Sequence, residues 1–267
     1  MQNIAANTAF TPTLSLTVFV PAYNEAENLP ATLSQLVNAL NALNLVNAHN
    51  SRNVLLAQPF SFEVIVVNDG SSDDTGSIAD QFAQQYACVN VIHHPTNQGL
   101  GAGFVHAVQA AQGAWFILIP ADLAMKLEEL PKYFEAAKTA DIVVGHRSDR
   151  ADYSLLRRLV SWVNIGLIRV LFGMEQQQFN YISLYRTTIL KALPLRYTDS
   201  ALFFAEVLIR AKARGHKLVN VWVDYVPRTY GQQTGSNVWL ILRTVRDIIA
   251  FWLRWTFFKR RVKSDEC

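Results

Sequence analysis

Short runs rich in β-branched and aromatic residues alternate with helix-length stretches through the first half of the chain. That alternation is the strongest constraint on its fold. Candidate strands at 16–20, 63–67, 89–93, 115–119 and 141–145 are separated by helical stretches at about 26–43, 73–86, 99–112 and 127–139. Strands that alternate with helices predict an α/β domain, a mainly parallel sheet covered by helices on both faces. Residues 44–59, polar and Asn-rich, read as a surface excursion. Beyond 145 the pattern loosens into a helix at 154–172, a strand at 181–186, a helix at 200–214, a strand at 218–224 and a last helix from 238 towards 259. No internal repeat is visible.

Composition narrows the setting. Of 267 residues 51% are hydrophobic and only 17% charged, yet charges interrupt every candidate span. No stretch reaches the roughly 18 uninterrupted apolar residues of a transmembrane helix. Residues 1–13 lack the basic start and apolar core of a signal peptide, so the chain is expected on the cytoplasmic side. Cys88 and Cys267 fit no metal spacing or disulfide framework. A net charge of +3 gives no argument for nucleic acid. Seven basic residues lie between Arg243 and Lys263 against one acid, Asp247. At 100° per residue Arg243, Asp247, Arg254 and Arg261 share one face, and Leu242, Val245, Ile248, Ile249, Trp252 and Trp255 the other. That pattern suits a helix lying in the inner face of a membrane among anionic headgroups, or one packed on the protein's own core.

Chemistry gathers at two strand ends. The first strand runs into Pro21-Ala22-Tyr23-Asn24-Glu25, where Tyr23 offers a ring to a base or ribose and Glu25 can accept from ribose hydroxyls. The second runs into Asn68-Asp69-Gly70-Ser71-Ser72-Asp73-Asp74-Thr75. Ser72 or Asp73 can cap the next helix, but capping does not explain Asp69, whose carboxylate could accept two hydrogen bonds from a nucleobase edge. Ligands of open α/β sheets bind at such strand ends. A Gly-x-Gly-x-x-Gly turn after the first strand is missing, which sets aside a dinucleotide-binding oxidoreductase. His93, His94 and His106 lack metal-ligand spacing and read as structural.

These motifs, with Asn97-Gln98-Gly99-Leu100-Gly101, resemble glycosyltransferase family 2 and within it the dolichyl-phosphate mannose synthase and polyprenyl-phosphate branch. The resemblance runs from about residue 16 to 235. It implies the Rossmann-like GT-A fold over 1–235, with a nucleotide-binding half at 14–125, an acceptor half at 126–235 and an amphipathic helix at 236–267. It implies a UDP- or GDP-hexose donor seated by Pro21, Tyr23, Glu25, Asp69, Gly70 and Ser71, and a membrane-embedded polyprenyl phosphate as acceptor. Gly145-His146-Arg147, the segment from Leu155 to Ser161, and Val226-Pro227-Arg228-Thr229-Tyr230-Gly231 resemble family elements that would give Arg147, Arg157, Ser161 and Arg228 to the phosphates. Guanidinium forks suit that task. An integral-membrane partner is a further expectation.

The metal motif departs from the family. Where the family has Asp-x-Asp followed two residues on by Gln, this chain reads Pro120-Ala121-Asp122-Leu123-Ala124. Three readings stay open: Mg²⁺ or Mn²⁺ held by Asp122 and the donor; arginines such as Arg147 and Arg228 neutralising the leaving group; or a site that binds without turnover. The stretch Gln177-Gln178-Phe179-Asn180-Tyr181-Ile182-Ser183 also departs from the family loop there, which points to a changed acceptor or sugar. The resemblance implies transfer with inversion. A sugar-hydroxyl acceptor on a glycan or glycerolipid would need a base, for which only Asp199 and Glu206 offer themselves. A lipid phosphate would not.

Overall fold

The computed structural model describes residues 15–49, 61–148, 155–224 and 238–264. Seven strands form one sheet: β1 (Ser15–Ala22), β2 (Ser61–Asn68), β3 (Val89–His93), β4 (Trp115–Leu118), β5 (Ile142–Arg147), β6 (Ser183–Arg186) and β7 (Leu218–Val223). Their order is β3-β2-β1-β4-β6-β5-β7. β1 pairs in parallel with β2 and β4, β2 with β3, and β5 with β7. Only β6 is antiparallel, between β4 and β5. The stretch leading into β6 therefore arrives at the same edge of the sheet as the C-terminal ends of β1, β4 and β5.

The helices are α1 (Leu29–His49), α2 (Thr75–Gln85), α3 (Leu100–Ala110), α4 (Leu130–Ala137), α5 (Leu155–Phe172), α6 (Thr187–Ala192), α7 (Phe203–Ala213) and α8 (Val238–Ser264). All seven expected strands are present. α6 was not expected, and α1 carries on through 44–49, where a surface excursion was expected; residues 50–60 of that excursion lie outside the described residues.

Alternation along each strand sends side chains to opposite faces, and both faces are buried, as a parallel sheet requires. On one side Leu16, Val18 and Val20 meet Leu33, Leu36 and Leu40 of α1 and Phe134 of α4. On the other Phe19, Ile65 and Val67 meet α3, α7 and the buried positions of α8. Phe104 anchors this second layer, edge-on to Phe116 at 5.1 Å and to Phe203 at 5.3 Å between ring centroids.

The last helix does not follow the simple two-faced reading. Its buried stripe is Thr244, Asp247, Ile248 and Phe251, so Asp247, expected on the polar face, is covered. Arg246 pairs with Asp247 at 2.9 Å and keeps that carboxylate compensated. The Phe251 ring stacks on Phe172 of α5 at 5.0 Å. The apolar side thus divides: Ile248 and Phe251 pack inward, whereas Ile249, Leu253 and Phe257 stay exposed.

Candidate active site

The strand order reverses beside β1, since the chain steps from β1 to β2 and β3 on one side and returns to β4 on the other. A crevice opens there, and it holds a cavity of about 730 Å³. Pro21, Tyr23 and Glu25 line it from the end of β1, Asp69 from β2, Asp122 from the turn after β4, and Arg147 from the end of β5. Ser161, Asn164 and Ile168 of α5 line it as well, with Thr244 of α8. Gly70 and Ser71 do not line it. Arg228 lies outside the described residues, as does the side chain of Arg157.

Two turns are knitted together at the ends of β1 and β2. Asn24 adopts a left-handed backbone (φ 54°), open to Asn at modest cost. From there its carboxamide oxygen accepts from the Ser72 N–H at 2.9 Å, while its own N–H donates to Ser71 Oγ at 3.0 Å. The Glu25 N–H donates to Thr75 Oγ1 at 2.8 Å, and the Ala26 N–H to Asp73 at 3.2 Å. Ser71 is thus a brace behind the cavity. Gly70 is one as well: at φ 70° it lies against Thr96 and Asn97, where a Cβ would fall 2.5 Å from the Thr96 carbonyl carbon.

Asp69 is the pin between β2 and the next turn. Its Oδ1 accepts from the Gln98 N–H at 2.8 Å and meets His94 Nδ1 at 2.6 Å; its Oδ2 accepts from the Gly99 N–H at 2.8 Å. His94 is buried and its Nε2 stands 2.8 Å from His106 Nδ1. Both histidines are structural, as their spacing implies, whereas the two acceptor positions expected of Asp69 towards a nucleobase are partly taken up inside the protein. The internal donors leave it fewer.

At the far end Arg147 lies over the Tyr181 ring, 5.2 Å from its centroid. Gln178 clamps its backbone, accepting the Arg147 N–H at 3.2 Å and donating to the Arg147 carbonyl at 3.0 Å. Gln178 and Tyr181 had been noted only as part of a changed loop. Gln178 faces the polar backbone at the end of a strand, a pairing that no local pattern announces.

Asp122 sits in a tight turn, its Oδ1 accepting from the Ala124 N–H at 3.2 Å beside Leu123 at φ 45°. Pro120 and Ala124 supply no side-chain oxygen, and among the described residues no group of three or more His, Cys, Asp or Glu could hold a metal ion. One carboxylate nevertheless suits Mg²⁺ or Mn²⁺ when substrate phosphates and water provide the other oxygens, which is how Mg²⁺ is commonly held. The donor set fits a cation shared with substrate, not a protein cage. The two candidate bases stand elsewhere. Glu206 is fully buried, accepting from the Arg196 and Tyr197 N–H groups at 3.0 Å and from Arg210 at 2.7 Å. Asp199 pairs with Arg243 of α8. Neither lines the cavity.

Residues 17–210 match the glycosyl transferase family 2 model. The chain belongs to glycosyltransferase family 2. Its relatives lie in the polyprenyl-phosphate branch. An undecaprenyl-phosphate mannosyltransferase of Micrococcus luteus is 28% identical over 228 residues, 82% of this chain and 86% of the relative. A dolichyl-phosphate beta-glucosyltransferase of Trichomonas vaginalis is 27% identical over 238 residues, 84% of this chain and 68% of the relative. Among solved structures, glucosyl-3-phosphoglycerate synthase from Mycobacterium tuberculosis, in complex with Mn²⁺, UDP-glucose and phosphoglyceric acid, superposes with a TM-score of 0.64 at 16% identity, covering 89% of this chain and 79% of its own. The mannosyltransferase PcManGT from Pyrobaculum calidifontis, in complex with GDP-mannose and Mn²⁺, gives 0.59 at 18% identity, covering 91% and 65%. This family 2 enzyme therefore has the expected GT-A fold. Among its described residues no helix is long and apolar enough to cross a membrane.

Proposed function

We propose that this glycosyltransferase moves a hexose from a UDP- or GDP-sugar to a polyprenyl phosphate at the cytoplasmic surface of a membrane. The observation that carries the reading is the meeting of Asp69, Asp122 and Arg147 in one cavity at the ends of β2, β4 and β5. The branch to which the relatives belong supports the acceptor. In this reading residues 14–125 hold the donor and 126–235 the acceptor. Pro21, Tyr23, Glu25 and Asp69 seat the nucleoside, braced by Gly70 and Ser71. Asp122 orients the diphosphate. Arg147, Ser161, Arg157 and Arg228 meet the phosphates.

An acceptor phosphate oxygen, already ionised near neutral pH, attacks the anomeric carbon. The bond to the nucleoside diphosphate breaks on the opposite side, and configuration inverts. No proton need be removed, in keeping with Asp199 and Glu206 being engaged away from the cavity. Positioning and charge stabilisation then supply most of the rate. A divalent cation on Asp122 would offset charge on the departing diphosphate.

Membrane contact is supported by two helices that also wall the cavity. α5 exposes Trp162 (73%) and Val170 (83%), and α8 exposes Ile249, Leu253 and Phe257 (65%) at four-residue spacing. Arg246 and Arg254 add positive charge for anionic headgroups. An integral-membrane partner would bind the same face. The test is incubation of the purified protein with radiolabelled UDP- and GDP-hexoses and undecaprenyl or dolichyl phosphate in anionic vesicles. Label should pass to the lipid phosphate. No transfer from any donor, or transfer only to a glycan or glycerolipid hydroxyl, overturns the acceptor.

A further inference from the structure

The partners of Asp69 bear on which base the donor carries. A carboxylate offers about four lone-pair positions. Among the described residues, Oδ1 uses both of its positions on His94 and Gln98, and Oδ2 uses one on Gly99. One position remains, on Oδ2. His94 is not free to give way. Its side chain is 3% exposed, and its other nitrogen is held by His106, whose ring stands edge-on at 4.9 Å between centroids. Both Asp69 oxygens act as acceptors to backbone N–H groups, so at the 2.6 Å contact His94 is the donor through Nδ1, and it meets His106 through Nε2.

From this lone-pair count we infer that His94, braced by His106, is a specificity-determining residue that restricts Asp69 to a single acceptor position and so selects a uracil base over guanine. The inference rests on the donor-site reading above, with Asp69 facing the base. Guanine presents N1–H and N2–H side by side, a pair that needs both carboxylate oxygens in one plane. Oδ1 is already filled, so one guanine donor would be left without a partner. Uracil presents a single N3–H, which the remaining position satisfies. Cytosine turns a lone pair at N3 towards the carboxylate and is repelled. The donor class is therefore a uridine diphosphate sugar.

The experiment is calorimetric titration of UDP, GDP and CDP into the full-length protein with Mg²⁺ present, for the wild type, His94→Asn and His94→Ala, with thermal unfolding of each. An unpaired donor in a buried site is worth about a factor of ten in affinity or more, so UDP should bind at least about tenfold tighter than GDP. The Asn amide nitrogen can stand where Nδ1 does, and His94→Asn should keep the preference. His94→Ala opens Oδ1 and should narrow the ratio several-fold. GDP binding as tightly as UDP in the wild type overturns the inference and leaves the donor site standing, as does a ratio unchanged in a folded His94→Ala. Binding of no nucleotide at millimolar concentration overturns the donor-site reading together with it.

Discussion

The two walls of the cavity are built by different means. The wall formed by the ends of β1, β2 and the turn before α3 is a mesh of hydrogen bonds among side chains and backbone: Asn24 with Ser72, Glu25 with Thr75, Asp69 with Gln98 and Gly99. The wall formed by α5 and α8 is a packing arrangement, with Phe251 stacked on Phe172 and lying near Tyr197 and Trp255. The first fixes polar groups before any ligand arrives; the second sets only a shape and a covering. A nucleotide of fixed chemistry suits the first, and a long, variable lipid suits the second.

The largest expected effect falls between the walls. Asp122→Ala should lower kcat by about 100- to 1,000-fold, the range for losing one electrostatic anchor of a transition state. Thermal unfolding of the same variant separates a loss of rate from a loss of fold, since the Asp122 carboxylate also accepts from the Ala124 N–H at 3.2 Å. Radiolabel transfer at saturating donor measures the rate, and an unchanged kcat would remove Asp122 from the reaction and leave the departing diphosphate to the arginines. Phe251→Ala should cost about 3–5 kcal/mol in urea unfolding, since the side chain is buried among aromatic rings. If the walls are independent, the folded variant keeps its nucleotide affinity; a matching loss of affinity would break the comparison.

Replacing Ile249, Leu253 and Phe257 together by Ser should leave the unfolding midpoint nearly unchanged and weaken partition into anionic vesicles by about tenfold or more, from the apolar area withdrawn. A large loss of stability would instead mean that this stripe is packed in solution. The smallest effect belongs to the hydrogen-bonded wall. Burial works against ionisation of Asp73, but hydrogen bonds from the Thr75 hydroxyl and N–H and from the Ala26 N–H outweigh it and hold the carboxyl below its ordinary value of 3.8. A depressed folded pKa gives stability that is present above the unfolded value and is lost as pH falls through the folded one. Asp73→Asn should flatten the acid limb of stability against pH below about 4, read as urea midpoints.

What the sequence disclosed follows the same division. The hydrogen-bonded wall was legible because its parts are contiguous: a strand, then Pro21 to Glu25, and a strand, then Asn68 to Thr75. The interior partners of Asp69 were not, because His94 and His106 are joined to it only by the fold. α6 escaped notice because Thr187–Ala192 is too short for a helical period to declare itself. In α8 the polar and apolar arcs were counted correctly as angles, yet the helix buries Asp247, since neighbouring arginines satisfy its carboxylate. Angular position gives a residue's direction, whereas burial depends on what the neighbours can compensate.

The one reversed strand has an evolutionary corollary. Since β6 runs against its neighbours, a single contiguous stretch ending at Ile182 supplies Gln178, Phe179 and Tyr181 to the cavity before the chain re-enters the sheet. A lineage could exchange that cassette for another and acquire a new acceptor in one event, with strand register and nucleotide anchorage inherited intact. Grafting the corresponding stretch between homologues is the engineering counterpart of the same freedom.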